Sequence, residues 1–499
     1  MKILSVEQIR ALDQYTIEHE PIAPINLMER AAQAFVEWFT ERFDTSRPVK
    51  IFCGLGNNGG DGLAIARLLI QLEYSVQAFI VRYAPRESED CMHNHRRLKL
   101  LTTIGYIEQE KEMPVIRPNE IVIDAILGSG LSRPAEGIIR TVIEAMNFSP
   151  AMVISVDIAS GLYSDAPTPL NAIAVEPDQT VTFQLPKLAF MQPSNSRFVG
   201  EWHSVDIGLS RTFIDRQKTP FYYTTEKEIR HLLRRRDRFA HKGTFGHALL
   251  LAGSYGKIGA AVLASRACLR SGVGLLTVHV PHCGYPILQT AVPEAMCLPD
   301  DNAEVLTGFS RVMGEDWGAY SAVGIGPGIG KFPETLGVVR NLLDRARKPV
   351  VIDADALNLL GENRDLLGKL PQNSILTPHP REFERLTRRW NNDYEKLTLL
   401  REFAKKHQVI VVLKGAHTAI ALPDGSVHFN STGNPGMSTG GSGDVLTGIL
   451  TALLAQGYDP VEAAVLGVYQ HGAAGDRAAQ RFGQTAITAQ DIAESLRWE

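Results

Sequence analysis

Cysteine is scarce in this 499-residue chain: five residues, Cys53, Cys91, Cys268, Cys283 and Cys297, lie scattered and form no CxxC pair. That spacing excludes a disulfide framework and predicts a reduced cytosolic setting. No run of about 18 apolar residues occurs and no charged-then-apolar leader opens the sequence, so membrane spans and secretion are not expected. Excess positive charge is missing too. With 51 Lys and Arg against 55 Asp and Glu, the net charge of −4 offers no general attraction to nucleic acid or anionic lipid. The cluster Arg234-Arg235-Arg236-Asp237-Arg238 is a local exception that reads as a solvated linker or helix face. Neither a Walker A lysine motif nor a protein-kinase signature is present.

What is present fits a globular protein, with 44% hydrophobic and 21% charged residues. A chain of this length exceeds the size at which one core keeps growing, so two domains are expected. Between about 209 and 240 the strand pattern lapses and charges crowd, which puts one domain at 1–215 and another at 225–499.

The segment from Asn434 to Asp444, with Gly436, Gly440, Gly441 and Gly443, stands directly before the apolar run 445–454. A glycine-rich loop ending at a helix N-terminus offers free backbone N–H groups and the positive end of the helix dipole, which stabilise an anion without Lys or Arg. Asp444, in the first turn, is expected to stay ionised and to accept a proton from a substrate hydroxyl. The plainer alternative is a tight turn with an Asp cap.

In the first half, periodicity predicts two amphipathic helices, one through Ile9, Leu12 and Tyr15, the other through Leu27, Ala31, Phe35 and Trp38. A strand follows at 49–54. Gly56-Asn57-Asn58-Gly59-Gly60-Asp61-Gly62 then reads as a glycine-dense turn ahead of a helix from Leu63, the phosphate-binding order of doubly wound sheets. Its spacing is not the dinucleotide fingerprint, and its two Asn side chains suit a polar ligand or an ion. Strands are predicted at 76–81, 121–124 and 152–157. Asp124 and Asp157 end two of them at the edge where such sheets bind ligands, and they open the loops 125–134 and Ile158-Ala159-Ser160-Gly161.

The pattern restarts at 247–253, before a helix whose Gly259, Ala260 and Ala261 permit close approach of a ligand. Strands at 273–280, 321–326, 349–353, 374–377 and 409–414 alternate with helices, which indicates a largely parallel sheet covered on both faces. Their ends carry Gly326-Pro327-Gly328-Ile329-Gly330, Asp353 and Asp355, His379, and Lys414. Lys414 suits phosphate charge, His379 could orient a substrate, and Asn358 could share the Asp353 site. A hairpin turned at Asp424-Gly425 leads into the glycine loop.

The loops Gly56-Asn57-Asn58-Gly59-Gly60-Asp61-Gly62, Asp124-Ala125-Ile126-Leu127-Gly128-Ser129-Gly130 and Val156-Asp157-Ile158-Ala159-Ser160-Gly161 resemble those of the YjeF N-terminal family, the NAD(P)H-hydrate epimerases. The resemblance implies that Asn57, Asn58, Gly59, Gly60 and Asp61 contact the hydrated nicotinamide nucleotide. It implies the same of Gly128, Ser129, Gly130, Leu131, Ser132, Arg133, Pro134 and Asp157, and a potassium ion on Asn58, Asp124 and Ser160. Oxygen ligands of low total charge suit such a cation, though they do not by themselves choose potassium over sodium. Asp157 is the acid/base candidate for epimerisation, with Lys187 behind it.

Gly441-Ser442-Gly443-Asp444, Asp353-Ala354-Asp355-Ala356-Leu357-Asn358, Thr377-Pro378-His379-Pro380-Arg381-Glu382-Phe383 and Leu413-Lys414-Gly415 resemble the ribokinase superfamily. More narrowly they resemble the YjeF C-terminal family, the ADP- or ATP-dependent NAD(P)H-hydrate dehydratases. That resemblance implies ADP contacts from Lys414, Gly415, Ala416, His417, Thr418 and Gly443, and hydrate contacts from Ala261, Gly328, His379 and Asp444. It implies magnesium on the phosphates, and Asp444 as the base that lets phosphate replace hydroxide as leaving group.

The expectation is therefore an α/β protein of two doubly wound domains, a Rossmann-like epimerase and a ribokinase-like dehydratase, acting on hydrated NADH and NADPH with ADP. A cytoplasmic homo-oligomer without nucleic-acid or membrane partners is expected. The competing reading is a ribokinase-superfamily kinase of a vitamin or sugar, with a non-catalytic ligand-binding first half. No residue decides between ADP and ATP, or between NADH-hydrate and NADPH-hydrate; the resemblance favours ADP.

Overall fold

A computed structural model describes residues 1–308 and 319–498. Its contacts divide the chain into two compact units. One is Lys2–Thr219 with Asn392–Tyr394; the other is Pro220–Asn391 with Glu395–Glu499 and Met1.

The first unit opens with helix α1 (Val6–His19), started by a capping box between Ser5 and Gln8. Helix α2 (Pro24–Thr40) carries Pro at its first position, where no N–H is needed, and buries the stripe Leu27, Met28, Ala31, Phe35, Phe39. The strands are β1 (Val49–Cys53), β2 (Val76–Val81), β3 (Gly105–Ile107), β4 (Ile121–Ala125), β5 (Met152–Val156), β6 (Gln179–Phe183) and β7 (Glu201–Val205). They form one parallel sheet in the order β3-β2-β1-β4-β5-β6-β7. All of β1 and β4 is buried, as both faces of a helix-covered sheet require. Even Lys50 is inside, neutralised by Glu120. The chain runs outward from β1 to β3 and returns to β4 beside β1. The loops after β1 and β4 therefore diverge over one crevice, the place where open sheets bind ligands.

One expectation is revised here. The segment 56–62 is not a turn before a helix from Leu63: helix α3 (Asn57–Gln71) begins at Asn57, so Asn57 to Asp61 form its first turns. Glycine costs about 1 kcal/mol in a helix, which is why the sequence reads as loop. Close packing overrides that preference, since a Cβ on Gly59 would stand 2.0 Å from the Gly54 carbonyl oxygen.

The second unit contains β8 (Phe221–Tyr223), β9 (His247–Leu251), β10 (Leu275–Val280), β11 (Met296–Pro299), β12 (Ala322–Ile325), β13 (Val350–Ile352), β14 (Ile375–Leu376), β15 (Ile410–Leu413), β16 (Ala419–Ala421) and β17 (Val427–Phe429). Their order is β11-β10-β9-β12-β13-β14-β15-β16-β17-β8, parallel from β11 to β15 and antiparallel through the hairpin β15-β16-β17. Here the direction of travel reverses between β9 and β12. Helix α4 (Ile258–Arg270) follows β9, α5 (Ala354–Glu362) follows β13, and α6 (Ser442–Ala455) is buried along nearly all its length. Helix α6 crosses α4 at Gly448, where a Cβ would stand 2.1 Å from the Ala264 carbonyl oxygen. Helix α7 (Pro460–Phe482) closes the glycine loop.

Candidate active sites

In the second unit, Gly441 precedes α6 at φ 91°, a left-handed conformation open to glycine, and the chain turns there into the helix. Asp444 is the third residue of α6. Asp353 ends β13 with its side chain 1% exposed; its Oδ1 takes Lys414 Nζ at 2.9 Å and its Oδ2 takes Thr447 Oγ1 at 2.9 Å. Gly443 faces the same pair, since a Cβ there would lie 3.3 Å from Lys414 Nζ and 3.5 Å from Asp353 Oδ2. Burial opposes the charge of Lys414, but Asp353 and Glu382 outweigh it and hold its pKa up.

The expectation that Asp444 stays ionised is corrected. Burial first, and then the Asp353 carboxylate, raise its pKa to about 7 against the opposing pull of Lys414. The helix dipole is worth at most about 2 kcal/mol in partly buried settings and does not win. A carboxylate that gives up its proton near neutrality is nonetheless well matched to general-base work.

Asp355 Oδ2 takes the Gly330 amide at 2.9 Å and Lys257 Nζ at 3.4 Å, so it fixes the turn after β12. The loops after β9 and β12 meet through Gly253 N to Pro327 O at 2.7 Å and Ser254 Oγ to Gly328 O at 2.7 Å. Ala261, on α4, and Gly328 flank that seam; a Cβ on Gly328 would lie 3.1 Å from Ala260 Cβ. His379 caps the helix Pro380–Leu386: its Nδ1 accepts from the amides of Arg381 and Glu382, and burial together with Lys414 lowers its pKa. Neutral His379 thus keeps Nε2 as its donor.

A cavity of about 740 Å³ lies over the α6 N-terminus. Its lining includes Lys414, Gly415, Ala416, Thr418, Gly443 and His379 among the sequence-predicted residues. His417 is not among them; its Nδ1 lies 3.1 Å from the Asn430 carbonyl oxygen. Asn358 is taken by Arg385 at 2.5 Å. Two residues escaped sequence reasoning. His471 of α7 lines the cavity, its Nε2 3.3 Å from Ser442 Oγ, and burial drives its pKa down to about 4. Asp476, one turn further, holds Gly433 N and Asn434 Nδ2, each at 2.9 Å. A lone His and a lone Asp on a long helix carry no local signal.

In the first unit, Asp124 is fully buried at the end of β4. Its Oδ1 takes Ser160 Oγ at 2.5 Å; its Oδ2 takes Ser155 Oγ and the Ser160 amide, both at 2.8 Å. Burial raises its pKa in spite of these bonds. Asn58, 8% exposed, gives Nδ2 to Leu127 O at 3.0 Å, whereas its Oδ1 is buried without a hydrogen-bond partner. An orphaned amide oxygen beside a buried carboxylate and hydroxyl is a donor set that a hard cation would satisfy. Asp157 sits at φ 65°, a strained conformation for a residue with a Cβ. Its Oδ1 takes Lys187 Nζ at 2.5 Å, the Phe183 amide at 3.1 Å and Thr182 Oγ1 at 3.2 Å. Asp61 faces the same region; burial and the carboxylates of Asp157 and Asp13 push its pKa well up. Of the other candidates, Gly59 and Gly60 are buried, while Asn57, Gly130, Ser132 and Arg133 are exposed and Gly128, Ser129, Leu131 and Pro134 are half-buried.

Comparison with known proteins follows this division. Residues 248–497 match the family model described as NAD(P)H-hydrate dehydratase, and residues 24–189 match that of the YjeF-related protein N-terminus. A bifunctional NAD(P)H-hydrate repair enzyme of Moorella thermoacetica is 36% identical over 99% of this chain and 96% of its own length. The chain belongs to the bifunctional NAD(P)H-hydrate repair enzymes. The Escherichia coli member of this repair family is 31% identical over 94% of the chain and 88% of its own length. A ribokinase-like superfamily protein of Enterococcus faecalis superposes with a TM-score of 0.50 at 26% identity, covering 56% of this chain and 95% of its own. The second sheet of the repair enzyme is accordingly ribokinase-like and the first Rossmann-like. Among the described residues no helix is long and apolar enough to cross a membrane.

Proposed function

We propose that the two units perform consecutive repair steps, with domain limits at 1–215 and 225–499. The first equilibrates the R and S forms of hydrated NADH and NADPH, and the second dehydrates the S form at the expense of ADP, giving AMP and phosphate. One observation carries the second assignment. A titratable carboxylate, Asp444, sits in the first turn of α6 under the influence of the Lys414–Asp353 pair, and its neighbour Gly443 and Lys414 itself line a cavity large enough for a nucleotide.

The chemistry follows from that placement. Asp444 removes the proton of the hydroxyl on the hydrated ring carbon, and that oxygen attacks the terminal phosphorus of ADP while the bond to the leaving AMP oxygen breaks. Backbone N–H groups of Gly441 to Gly443 and the ammonium of Lys414 stabilise the charge on the transferred phosphoryl group. The ring nitrogen then pushes out phosphate, loss of a proton from the neighbouring carbon restores the double bond, and dihydronicotinamide results. Ala261, Gly328 and His379 are assigned to the hydrate, and Lys414, Gly415, Ala416, His417, Thr418 and Gly443 to ADP. Magnesium would ride on the phosphates; among the described residues no three His, Cys, Asp or Glu gather to cage a metal, and magnesium favours phosphate and water ligands. In the first unit, Asn58, Asp124 and Ser160 would hold potassium, which supplies a fixed positive charge beside the hydrate.

A kinase acting on a vitamin or sugar is disfavoured by the matches of both halves to one repair family. The test supplies mixed epimers of NADPH-hydrate to the purified chain with ADP and follows dihydronicotinamide absorbance. Complete recovery supports both steps, recovery of only the S fraction removes the epimerase, and accumulation of a stable phosphorylated product favours the kinase. A cytosolic homo-oligomer is part of this reading; sedimentation at micromolar concentration checks the assembly.

A further inference from the structure

We propose that helix α1 completes the epimerase site, with Asp13 as the proton donor to the departing hydroxyl and Arg10 as a contact for the phosphates of the hydrate. The proposal rests on the epimerase reading of the first unit.

Residues 10 and 13 are one turn apart and share a face of α1. That helix is anchored at both ends: Asp165 Oδ2 takes the Val6 amide at 2.7 Å, and Thr16 Oγ1 takes the Ser210 amide at 3.1 Å. Its exposed Arg10 lies on the glycine loop after β4, since a Cβ on Gly130 would stand 2.3 Å from Arg10 Nη2. Among the described residues no carboxylate pairs with Arg10, which leaves its guanidinium available to an anion. The half-buried carboxyl of Asp13 makes no hydrogen bond within the described protein, whereas Asp157 is saturated on Oδ1.

Lys187 does not fill the donor role. It is 1% exposed, and its three protons go to Asp157 Oδ1, Thr182 Oγ1 at 2.7 Å and Leu185 O at 3.4 Å. It therefore positions Asp157 and has none left for a substrate. The groups facing Asp13 are Asp61 from α3, Asp157 from the loop after β5 and Lys187 from the segment after β6. Burial and the Asp157 carboxylate raise the pKa of Asp13 to about 6, with Lys187 opposing. Asp13 with its carboxyl unbonded, and Asp157 held on Oδ1 by Lys187, Phe183 and Thr182, are placed to divide donor and acceptor duties.

The step balances as follows. Asp13 gives its proton to the hydroxyl, the carbon–oxygen bond breaks with its electron pair on oxygen, water leaves, and the ring-nitrogen lone pair forms a carbon–nitrogen double bond. A water then bonds to the other face of that carbon, the double-bond electrons return to nitrogen, and Asp157 takes the released proton. The next turnover starts from the exchanged protonation state or after exchange with solvent.

Asp13→Asn keeps the shape and removes the proton. The expected result is a loss of epimerisation kcat of at least about 10²-fold, with hydrate affinity, unfolding temperature and ADP-dependent dehydration retained and partial recovery in Asp13→Glu. Wild-type kcat/KM should fall as pH rises above about 6, and Asp13→Asn should lose that limb. Arg10→Ala should raise KM about tenfold with kcat within a factor of two, as loss of a charged hydrogen bond implies. Asp13→Asn within threefold of wild type, or a variant whose only defect is lost folding or binding, overturns the donor role. A wild-type chain that dehydrates the S form but never interconverts epimers removes the epimerase reading itself.

Discussion

Lys414 donates to Asp353 across 2.9 Å, and this pair stands between β13 and β15, on strands separated by β14. The lysine that sequence reading assigns to phosphate charge is therefore already committed to a buried carboxylate. Its ammonium also opposes the rise in the pKa of Asp444, so one cation both acts on that carboxyl and lines the cavity over the α6 N-terminus.

Removing that cation strands Asp353 without a counter-charge. Lys414→Met should lower unfolding free energy by about 3 kcal/mol, because breaking a buried pair leaves an uncompensated charge. ADP affinity should fall in parallel. Urea denaturation and ADP titration check both, and adding Asp353→Asn should restore stability but not affinity.

Asp444→Asn should lower dehydration kcat at least about 10²-fold while epimer interconversion continues. In the wild type, dehydration should rise with pH through about 7 as Asp444 loses its proton. Stability should respond in the opposite sense. The folded pKa lies above the usual carboxylate value, so the protonated carboxyl favours the folded state at low pH, and this contribution is lost as pH rises through about 7. Asp444→Asn should therefore have the higher urea midpoint at pH about 8, a difference that closes below pH about 4.

Gly448→Ala should destabilise the second unit by about 1–3 kcal/mol, because the added methyl meets a helix backbone at 2.1 Å rather than a flexible side chain. Calorimetry of the variant reads the shift.

Replacing potassium by choline should slow epimerisation and leave dehydration unchanged. Asn58→Ala, which deletes the unpartnered oxygen, should abolish the response to potassium. Parallel assays of the two reactions at fixed magnesium distinguish a specific ion from ionic strength.

The local layout was legible from residues alone. Short, mostly apolar segments such as 49–53 and 410–413 read as strands covered on both faces, and glycines crowd where chain passes near chain or ligand. Strands β6 and β7 were not foreseen: Gln179-Thr180-Val181-Thr182-Phe183 does alternate, but Glu201-Trp202-His203-Ser204-Val205 mixes polar and aromatic residues over five positions. The start of α3 at Asn57 was hidden for a related reason, since its glycines satisfy packing against Gly54 and Met28 rather than helix propensity.

By itself the sequence determined the element types, the two-part organisation, the family and the loops that carry polar groups, because periodicity and motif spacing are local properties of the chain. Tertiary structure alone decided the strand order, the neutral-range titration of Asp444, the pairing of Lys187 with Asp157 and the Coulomb influence of both on Asp13. The physical reason is that burial and Coulomb interaction act between residues distant in the chain, as between Asp353 and Asp444 or Asp13 and Asp157, and no local window contains both partners.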